Sequence, residues 1–493
     1  MKNEQIRSCG VLMHITSLPS PYGIGTFGRD AESFVDWLKQ GGQRYWQVLP
    51  LVPVGYGNSP YQSYSTFAGN PLLIDLDDLV QDGLLTRELC LNADFGADPS
   101  FVDFEKVIRT KIPLLRMAFE SFEEDVPYLA FVQEQAAWLD GYSLFMALKT
   151  FYNDKPWYEW DENIKMRKPE AIDEYKEKLI DEIKFWKFVQ YIFYKQWAQL
   201  KRYANKNEIE IIGDIPIYVA FDSADVWENP ELFVLDRLNM PIKVAGVPPD
   251  YFSKTGQLWG NPIYDWDEMK KENYTWWIRR LEQSKVLYDL IRIDHFRAFD
   301  TYYAIPAGAK TAENGKWENG PGIEFFEAVH SSIPDIRIIA EDLGEIFDSV
   351  RKLLFQTGYP GMKVLQFGFN ANNLDNEHLP HNYKSNCVVY TGTHDNATFS
   401  EWYKSADKNT RAMAKRYLSA GLWDYEWSAI KALYASHANT VIIPLQDIVG
   451  GDSKRMNTPS TVGNHNWIWR VKKGVYTDSQ AYKLKALAQT YFR

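Results

Sequence analysis

The chain has 493 residues, of which 45% are hydrophobic, and a formal net charge of −11. This length allows one large domain with insertions or several smaller domains. The acidic balance argues against nucleic acid as a partner, because phosphate neutralisation needs clustered Lys and Arg. With no apolar run of about 18 residues or more, the sequence predicts no membrane-spanning segment.

The cellular compartment is indicated by the cysteines and the first residues. Cys9, Cys90 and Cys387 lie far apart and form neither a CxxC pair nor a metal-binding spacing. The first ten residues, MKNEQIRSCG, are polar and do not resemble a signal peptide. We therefore expect a protein of the reducing cytoplasm with free cysteines.

The chain opens with a strand, a helix and a second strand. The apolar runs 9–18 and 45–54 have the length of buried strands. Between them, residues 28–42 place Phe34 and Leu38 on one helical face at a spacing of i, i+4. Two strands joined by a helix and short connections are typical of parallel β/α architecture.

The same pattern returns later in the chain. Six further short runs are rich in Ile and Val and are bounded by polar or turn residues: 209–219, 287–296, 336–344, 361–369, 386–396 and 439–450. Eight buried strands with intervening helices predict a TIM (β/α)8 barrel.

Two connections are too long for a simple barrel helix. Residues 55–205, between the second and third strands, contain several helical stretches, and residues 220–286 separate the third and fourth strands. We expect both to be large, mainly helical insertions in a single catalytic barrel spanning 1–493. The last run ends near residue 450, which leaves too few residues for a C-terminal β-domain.

Acidic residues stand at the carboxyl ends of four predicted strands, where TIM barrels carry their active sites. They are Asp214, Asp294, Glu341 and Asp395. Three histidines share these strand ends: His14, His295 and His394. One such acid is readily explained as a helix cap or a salt-bridge partner. Four carboxylates close together repel one another, and this energetic cost is hard to explain unless the groups take part in the chemistry of the protein.

Paired carboxyl groups suit cleavage of a glycosidic bond with retention, in which one attacks the anomeric carbon and the other transfers a proton. Arg292 lies two residues before Asp294 on the same strand face and should keep Asp294 ionised. A nearby carboxylate such as Asp395 should raise the pKa of Glu341 and so keep it protonated.

Three motifs closely resemble the nucleophile, acid/base and stabiliser motifs of the α-amylase clan: RIDHFR (292–297), IIAEDLG (338–344) and TGTHDN (391–396). Four further segments resemble one family of that clan, the 4-α-glucanotransferases (amylomaltases, or disproportionating enzymes): 57–76, 213–219, 246–266 and 456–470. The resemblance extends from about residue 8 to the end of the chain.

The resemblance implies roles for individual residues. Asp294 would be the nucleophile, Glu341 the general acid/base, and Asp395 the stabiliser of the distorted sugar. Arg292 would orient Asp294, and His394 would bind sugar hydroxyls near the cleaved bond.

The resemblance also implies contacts on the donor side. Asp214 would bind the donor sugar, and Tyr61 would shape the donor pocket. Asn464 would lie nearby, although a turn residue beside Gly463 is an equal alternative.

On the acceptor side, the resemblance implies a mobile loop at 250–259, with Tyr251, Phe252 and Trp259 as stacking rings. These rings could instead pin the loop to the barrel. His295 follows the nucleophile, but its side chain should leave the face of Asp294 if the strand continues.

The implied reaction transfers α-1,4-glucan segments between a donor and an acceptor, which would be maltooligosaccharides, starch or glycogen fragments, or glucose. We expect no cofactor, because carboxyl groups supply both the nucleophile and the proton. Three alternatives stay open: a hydrolase of the same clan, a non-catalytic glucan-binding protein and a metal-dependent barrel enzyme. The last would use Asp294, His295, Glu341, His394 and Asp395 as metal ligands.

Overall fold

The computed structural model describes residues 7–249, 253–369, 375–421, 424–451, 453–459, 461, 463 and 465–493. Its strands are β1 (Ser8–Leu12), β2 (Tyr45–Gln47), β3 (Glu210–Pro216), β4 (Lys243–Val247), β5 (Gln257–Pro262), β6 (Leu290–Asp294), β7 (Thr301–Pro306), β8 (Lys316–Asn319), β9 (Ile338–Ala340), β10 (Gly361–Val364), β11 (Cys387–Tyr390) and β12 (Thr440–Pro444).

Eight of these strands form one parallel sheet in the order β10-β11-β12-β1-β2-β3-β6-β9. The two end strands meet where the Ala340 amide donates to the Pro360 carbonyl at 3.0 Å. The sheet therefore curls into a barrel, which confirms the predicted fold. Each of its strands coincides with one of the eight predicted runs, and β1 alone begins one residue earlier, at Ser8.

The helices are α1 (Arg29–Gln40), α2 (Leu76–Gln81), α3 (Arg87–Leu91), α4 (Phe104–Glu120), α5 (Val126–Glu134), α6 (Ala136–Phe151), α7 (Glu162–Lys165), α8 (Pro169–Lys178), α9 (Ile180–Lys206), α10 (Ala224–Glu228), α11 (Trp266–Lys271), α12 (Thr275–Leu287), α13 (Ile323–Ser332), α14 (Asp348–Thr357), α15 (Phe399–Ser405), α16 (Lys408–Tyr417), α17 (Tyr425–Ala435), α18 (Leu445–Val449) and α19 (Asp478–Thr490). In the described ranges, each helix is too short or too polar to cross a lipid bilayer.

The long connection between β2 and β3 is helical and contains α2 to α9. The 27-residue helix α9 buries a stripe of aromatic and aliphatic side chains, among them Phe188, Ile192 and Leu200, and α4, α5 and α6 pack against it. A shared apolar stripe of this kind stabilises neighbouring helices by removing apolar surface from water. We propose 55–205 as an insertion subdomain of the barrel.

The connection between β3 and β6 contains α10, β4, β5, α11 and α12. β4 and β5 join β7 and β8 in a four-stranded antiparallel sheet of order β5-β4-β7-β8, which the sequence analysis does not predict. We propose 220–286 as the second insertion, whose strands β4 and β5 share a sheet with β7 and β8, which follow β6 in the chain. The described residues after β12 contain the helices α18 and α19 and one antiparallel bridge from Trp469 to Phe101.

Candidate active site

Adjacent strands bring four of the predicted site residues together. Asp214 on β3 is in register with Arg292 on β6. The amide of Glu341, just after β9, donates to the Ile293 carbonyl at 3.0 Å. Since side chains two residues apart share a strand face, Asp294 lies on the same face as Arg292 and beside the strand end that carries Glu341.

Arg292 is the central cation of this group. One guanidinium nitrogen donates to both carboxylate oxygens of Asp214, at 2.7 and 2.6 Å, and another donates to Asp294 at 2.8 Å. Burial opposes the charge of Arg292, but Asp214 and Asp294 raise its pKa well above the usual value. Burial raises the pKa of Asp294, and Arg292 opposes that rise.

Both oxygens of Glu341 accept hydrogen bonds from backbone amides. The amide of His295 donates at 2.7 Å and the amide of Leu343 at 2.8 Å. Burial, and after it the charge of Asp294, raise the pKa of Glu341 to about 7. A neighbouring carboxylate contributes as expected, but it is Asp294 rather than the predicted Asp395.

His295 ends strand β6 in a left-handed conformation, with a φ of 57°. This turn points the backbone amide of His295 to Glu341 and brings its ring edge-on to Trp259, with 4.9 Å between ring centroids. Burial lowers the pKa of His295 to about 3, so the imidazole is neutral. Within the described part of the chain, its buried Nε2 has no hydrogen-bond partner.

Asp395 and His394 lie on the loop after β11. Nε2 of His394 is 3.4 Å from one carboxylate oxygen of Asp395, and the Asn457 amide donates to the other at 2.6 Å. Burial alone would raise the pKa of Asp395, but His394 and Asn457 lower it to about 2. Asp395 is therefore ionised, and it raises the pKa of His394 against the effect of burial.

An aromatic wall lies between the Arg292 cluster and the loop that carries His394 and Asp395. The ring of Tyr61 stacks on His394 with 5.1 Å between centroids, and Trp467 packs against both rings, at 5.6 and 6.0 Å. The Tyr61 hydroxyl donates to Asp214 at 2.8 Å. Tyr61 thus links the Arg292 cluster to the Asp395 loop.

Asp214 is fully buried within the site. Its side chain is 0% exposed, and it is held by Arg292 and Tyr61. The carboxylate of Asp214 is therefore enclosed by its protein partners, and its contact with the donor sugar stays a prediction.

The acceptor loop is only partly described. Trp259 is half-buried against His295. Tyr251, Phe252 and Asn464 lie outside the described residues.

Two contacts with site residues are absent from the sequence analysis. Asn457 donates to Asp395, and Trp467 packs on Tyr61 and His394. Both residues lie in the segment 456–470, which is one of the four segments that carry the family resemblance. The residue pattern of this segment does not show which of its side chains reaches the loop after β11.

The geometry of the described residues does not favour the metal-dependent alternative. Among the residues that the structure describes, no group of three or more His, Cys, Asp or Glu side chains is arranged to hold a metal ion. The guanidinium of Arg292 already bridges Asp214 and Asp294, at the place where a shared cation would lie.

The barrel, with its acids at the carboxyl ends of the strands, is typical of glycan-processing enzymes of the α-amylase clan. A sequence profile of the family described as 4-alpha-glucanotransferase matches residues 13–477. The enzyme of that name from Clostridium butyricum is 47% identical over 487 residues, which cover 98% of this chain and all of the relative. The chain belongs to the 4-alpha-glucanotransferase family, and it is a glucan-transferring enzyme.

Solved structures agree with this assignment. The amylomaltase from Streptococcus agalactiae in complex with acarbose superposes with a TM-score of 0.96 at 43% identity, and 99% of each chain is covered. The amylomaltase from Corynebacterium glutamicum has a TM-score of 0.77 at 16% identity, over 98% of this chain and 75% of the other. That second likeness shows the fold alone.

Proposed function

We propose that this enzyme moves segments of α-1,4-glucan from a donor maltooligosaccharide to the 4-hydroxyl of an acceptor glucose or glucan. The reaction is a retaining double displacement through a covalent glucosyl intermediate on Asp294. The supporting observation is the pair of Asp294, held by Arg292 at 2.8 Å, and Glu341, whose pKa is raised to about 7. One carboxyl group is thus prepared to attack and the other to carry a proton.

In the first step, the carboxylate of Asp294 attacks the anomeric carbon while Glu341 protonates the leaving glycosidic oxygen. The two groups interact and therefore titrate as a pair. Because the guanidinium of Arg292 contacts Asp294 directly, the negative charge of the pair belongs on Asp294 and the proton on Glu341.

In the second step, Glu341 removes the proton from the acceptor 4-hydroxyl, which then displaces Asp294 from the sugar. Asp395, ionised beside His394, hydrogen-bonds the sugar hydroxyls and stabilises positive charge at the ring. Transfer exceeds hydrolysis when an extended acceptor is held in place of water.

The remaining predicted contacts divide between the two sides. Tyr61 and His394 form a wall for the donor glucose. Trp259 belongs to the acceptor platform. For Asp214, placed on the donor side, we add a supporting role in which it holds Arg292 and Tyr61 in place.

No cofactor takes part in this mechanism, since the two carboxyl groups supply all of the chemistry. We place the enzyme in the cytoplasm, where α-glucan fragments are its partners. Its three cysteines are buried and free, as a reducing compartment favours.

The principal alternative is an α-1,4-glucan hydrolase of the same clan. Incubation with maltotriose alone separates the two functions. A transferase produces glucose together with a ladder of longer oligosaccharides, at a constant number of reducing ends. A hydrolase produces glucose and maltose only, with rising reducing ends, and that result would overturn the proposal.

A further inference from the structure

The segment after β12 reaches the loop of His394 and Asp395 with the ring of Trp467 and with hydrogen bonds from Asn457. The backbone amide of Asn457 donates to the carbonyl of His394 at 3.1 Å, and its side-chain amide donates to Asp395 at 2.6 Å. One residue therefore holds both members of the His394–Asp395 dipeptide, 62 residues away in the sequence.

Asn457 is itself held on both sides. The amide of Trp467 donates to the Met456 carbonyl at 2.7 Å, and the Thr458 amide donates to the Asn466 side chain at 3.0 Å. These contacts fix the backbone that carries Asn457. A support fixed in this way orients a catalytic group before substrate binds.

The side chain of Asp395 is 41% exposed and has few other restraints. His394 on its own loop approaches one carboxylate oxygen at 3.4 Å, which is longer than a normal hydrogen bond. The other charged or titratable groups that face Asp395 are Arg292 and Asp294 from β6 and Tyr61 from the loop after β2. The short bond from Asn457 is the contact that fixes the rotation of the carboxylate.

We propose that Asn457 is a positioning residue that holds Asp395 in the orientation that suits the sugar hydroxyls. This inference rests on the proposed function, in which Asp395 stabilises the distorted sugar. Because the side-chain amide of Asn457 donates and Asp395 accepts, the contact is stronger when Asp395 is in its charged form.

Two variants test the proposal. Asn457→Ala removes the donor, and we expect kcat for maltotriose disproportionation to fall about 10- to 100-fold while KM changes less than about threefold. The acidic limb of the pH profile should move to higher pH, because Asp395 loses a contact that lowers its pKa.

Asn457→Asp supplies a signature that loosened packing would not produce. The introduced carboxyl can donate to Asp395 only when protonated and repels it when ionised. We therefore expect the activity of this variant, relative to wild type, to increase as the pH falls. The matched control is Asn205→Ala, which removes an amide-to-carboxylate bond to Asp289 (2.9 Å) on the outer surface and should leave kcat and the pH profile unchanged.

The variant Asp395→Asn, measured in parallel, distinguishes the proposed role of Asp395 from the proposed role of Asn457. If Asp395→Asn keeps wild-type transfer, the role of Asp395 is wrong and the inference falls with it. If Asp395→Asn is inactive while Asn457→Ala keeps kcat within about twofold of wild type and the same pH profile, the inference alone is overturned. Should Asn457→Ala fail to fold, the pH dependence of Asn457→Asp decides, and a profile parallel to wild type would overturn the proposal.

Discussion

The two sides of the active site are held in place by different means. On one side, Asp214, Arg292, Asp294 and Glu341 sit on or just after three adjacent strands, and the register of β3, β6 and β9 sets their spacing. On the other side, His394 and Asp395 lie on a loop beyond β11. They are positioned by side chains from distant parts of the chain: Tyr61, Asn457 and Trp467.

This difference indicates which substitutions each side of the site should tolerate. A strand ladder fixes backbone positions through many hydrogen bonds, so the strand side should keep its shape when one side chain is removed. The loop side relies on individual side-chain contacts and should lose its geometry contact by contact. The strand side is also the side with buried charges, where an unpaired group is costly.

The largest loss of activity is expected when either of the two reacting carboxyl groups on the strand side is removed. Asp294→Ala and Glu341→Ala should each reduce transfer by about a thousandfold or more, with little change in melting temperature, because the ladder does not depend on either side chain. Product analysis from maltotriose together with thermal unfolding checks both parts. Transfer above a tenth of wild type in either variant would refute the assignment.

Arg292→Met should damage both activity and stability. It leaves Asp214 as a fully buried carboxylate without its cation, which costs about 3–5 kcal/mol in free energy of unfolding. Denaturant unfolding measures this loss. Arg337→Met is the matched control, because its ion pair with Glu210 is partly exposed and should contribute less than about 1 kcal/mol. Equal losses in the two variants would contradict the account of the strand side.

The pH dependence tests the protonation of Glu341. Its pKa is raised to about 7, so the acid form predominates below that pH and is lost above it. We expect kcat/KM for maltotriose to decline about tenfold per pH unit well above pH 7. A glycosyl fluoride donor, whose leaving group needs no proton, serves as the control and should show no such decline. The same alkaline fall with both donors would exclude Glu341 as its source.

Tyr61→Phe tests the link between the two sides. The variant keeps the ring on His394 but removes the hydroxyl that donates to Asp214. We expect kcat/KM to fall about tenfold, with the fold unchanged, since Arg292 still holds Asp214. A kcat/KM equal to that of wild type would mean that the two sides act independently.

The smallest effect concerns the acceptor loop. Trp259→Ala removes a ring beside His295, and acceptor sugars lose a platform that water does not need. We expect the ratio of transfer to hydrolysis to fall a few-fold, measured as oligosaccharide ladder against new reducing ends. An unchanged ratio would remove Trp259 from the acceptor site.

The same contrast explains how much could be predicted from the sequence. Strand periodicity places Arg292 and Asp294 on one face, and eight apolar runs predict the barrel, so the strand side follows from local pattern. The hydrogen bond from Asn457 to Asp395 joins residues 62 positions apart in the sequence. The local hydrophobic pattern therefore cannot predict it. The burial of Asp214 likewise depends on packing around it, since its position at a strand end is compatible with exposure.

The small sheet of β4, β5, β7 and β8 was not predicted for a related reason. Its strands lack the Ile- and Val-rich runs that mark the barrel strands, and β4 and β5 pair with a register shift between Val244 and Gly246. β4 and β5 precede the barrel strand β6 in the chain, whereas β7 and β8 of the same sheet follow it. Segments without a strong alternating pattern cannot be paired from their spacing alone.

The most direct test of the central claim is azide rescue of Asp294→Ala and Glu341→Ala with an α-maltosyl fluoride donor, with the anomeric configuration of each product determined by NMR. In Asp294→Ala, azide replaces the nucleophile in a single displacement, and the account predicts the β-azide. In Glu341→Ala, azide replaces the acceptor on the covalent intermediate, and the account predicts the α-azide. The same anomer from both variants would contradict the assignment of Asp294 as nucleophile and Glu341 as acid/base.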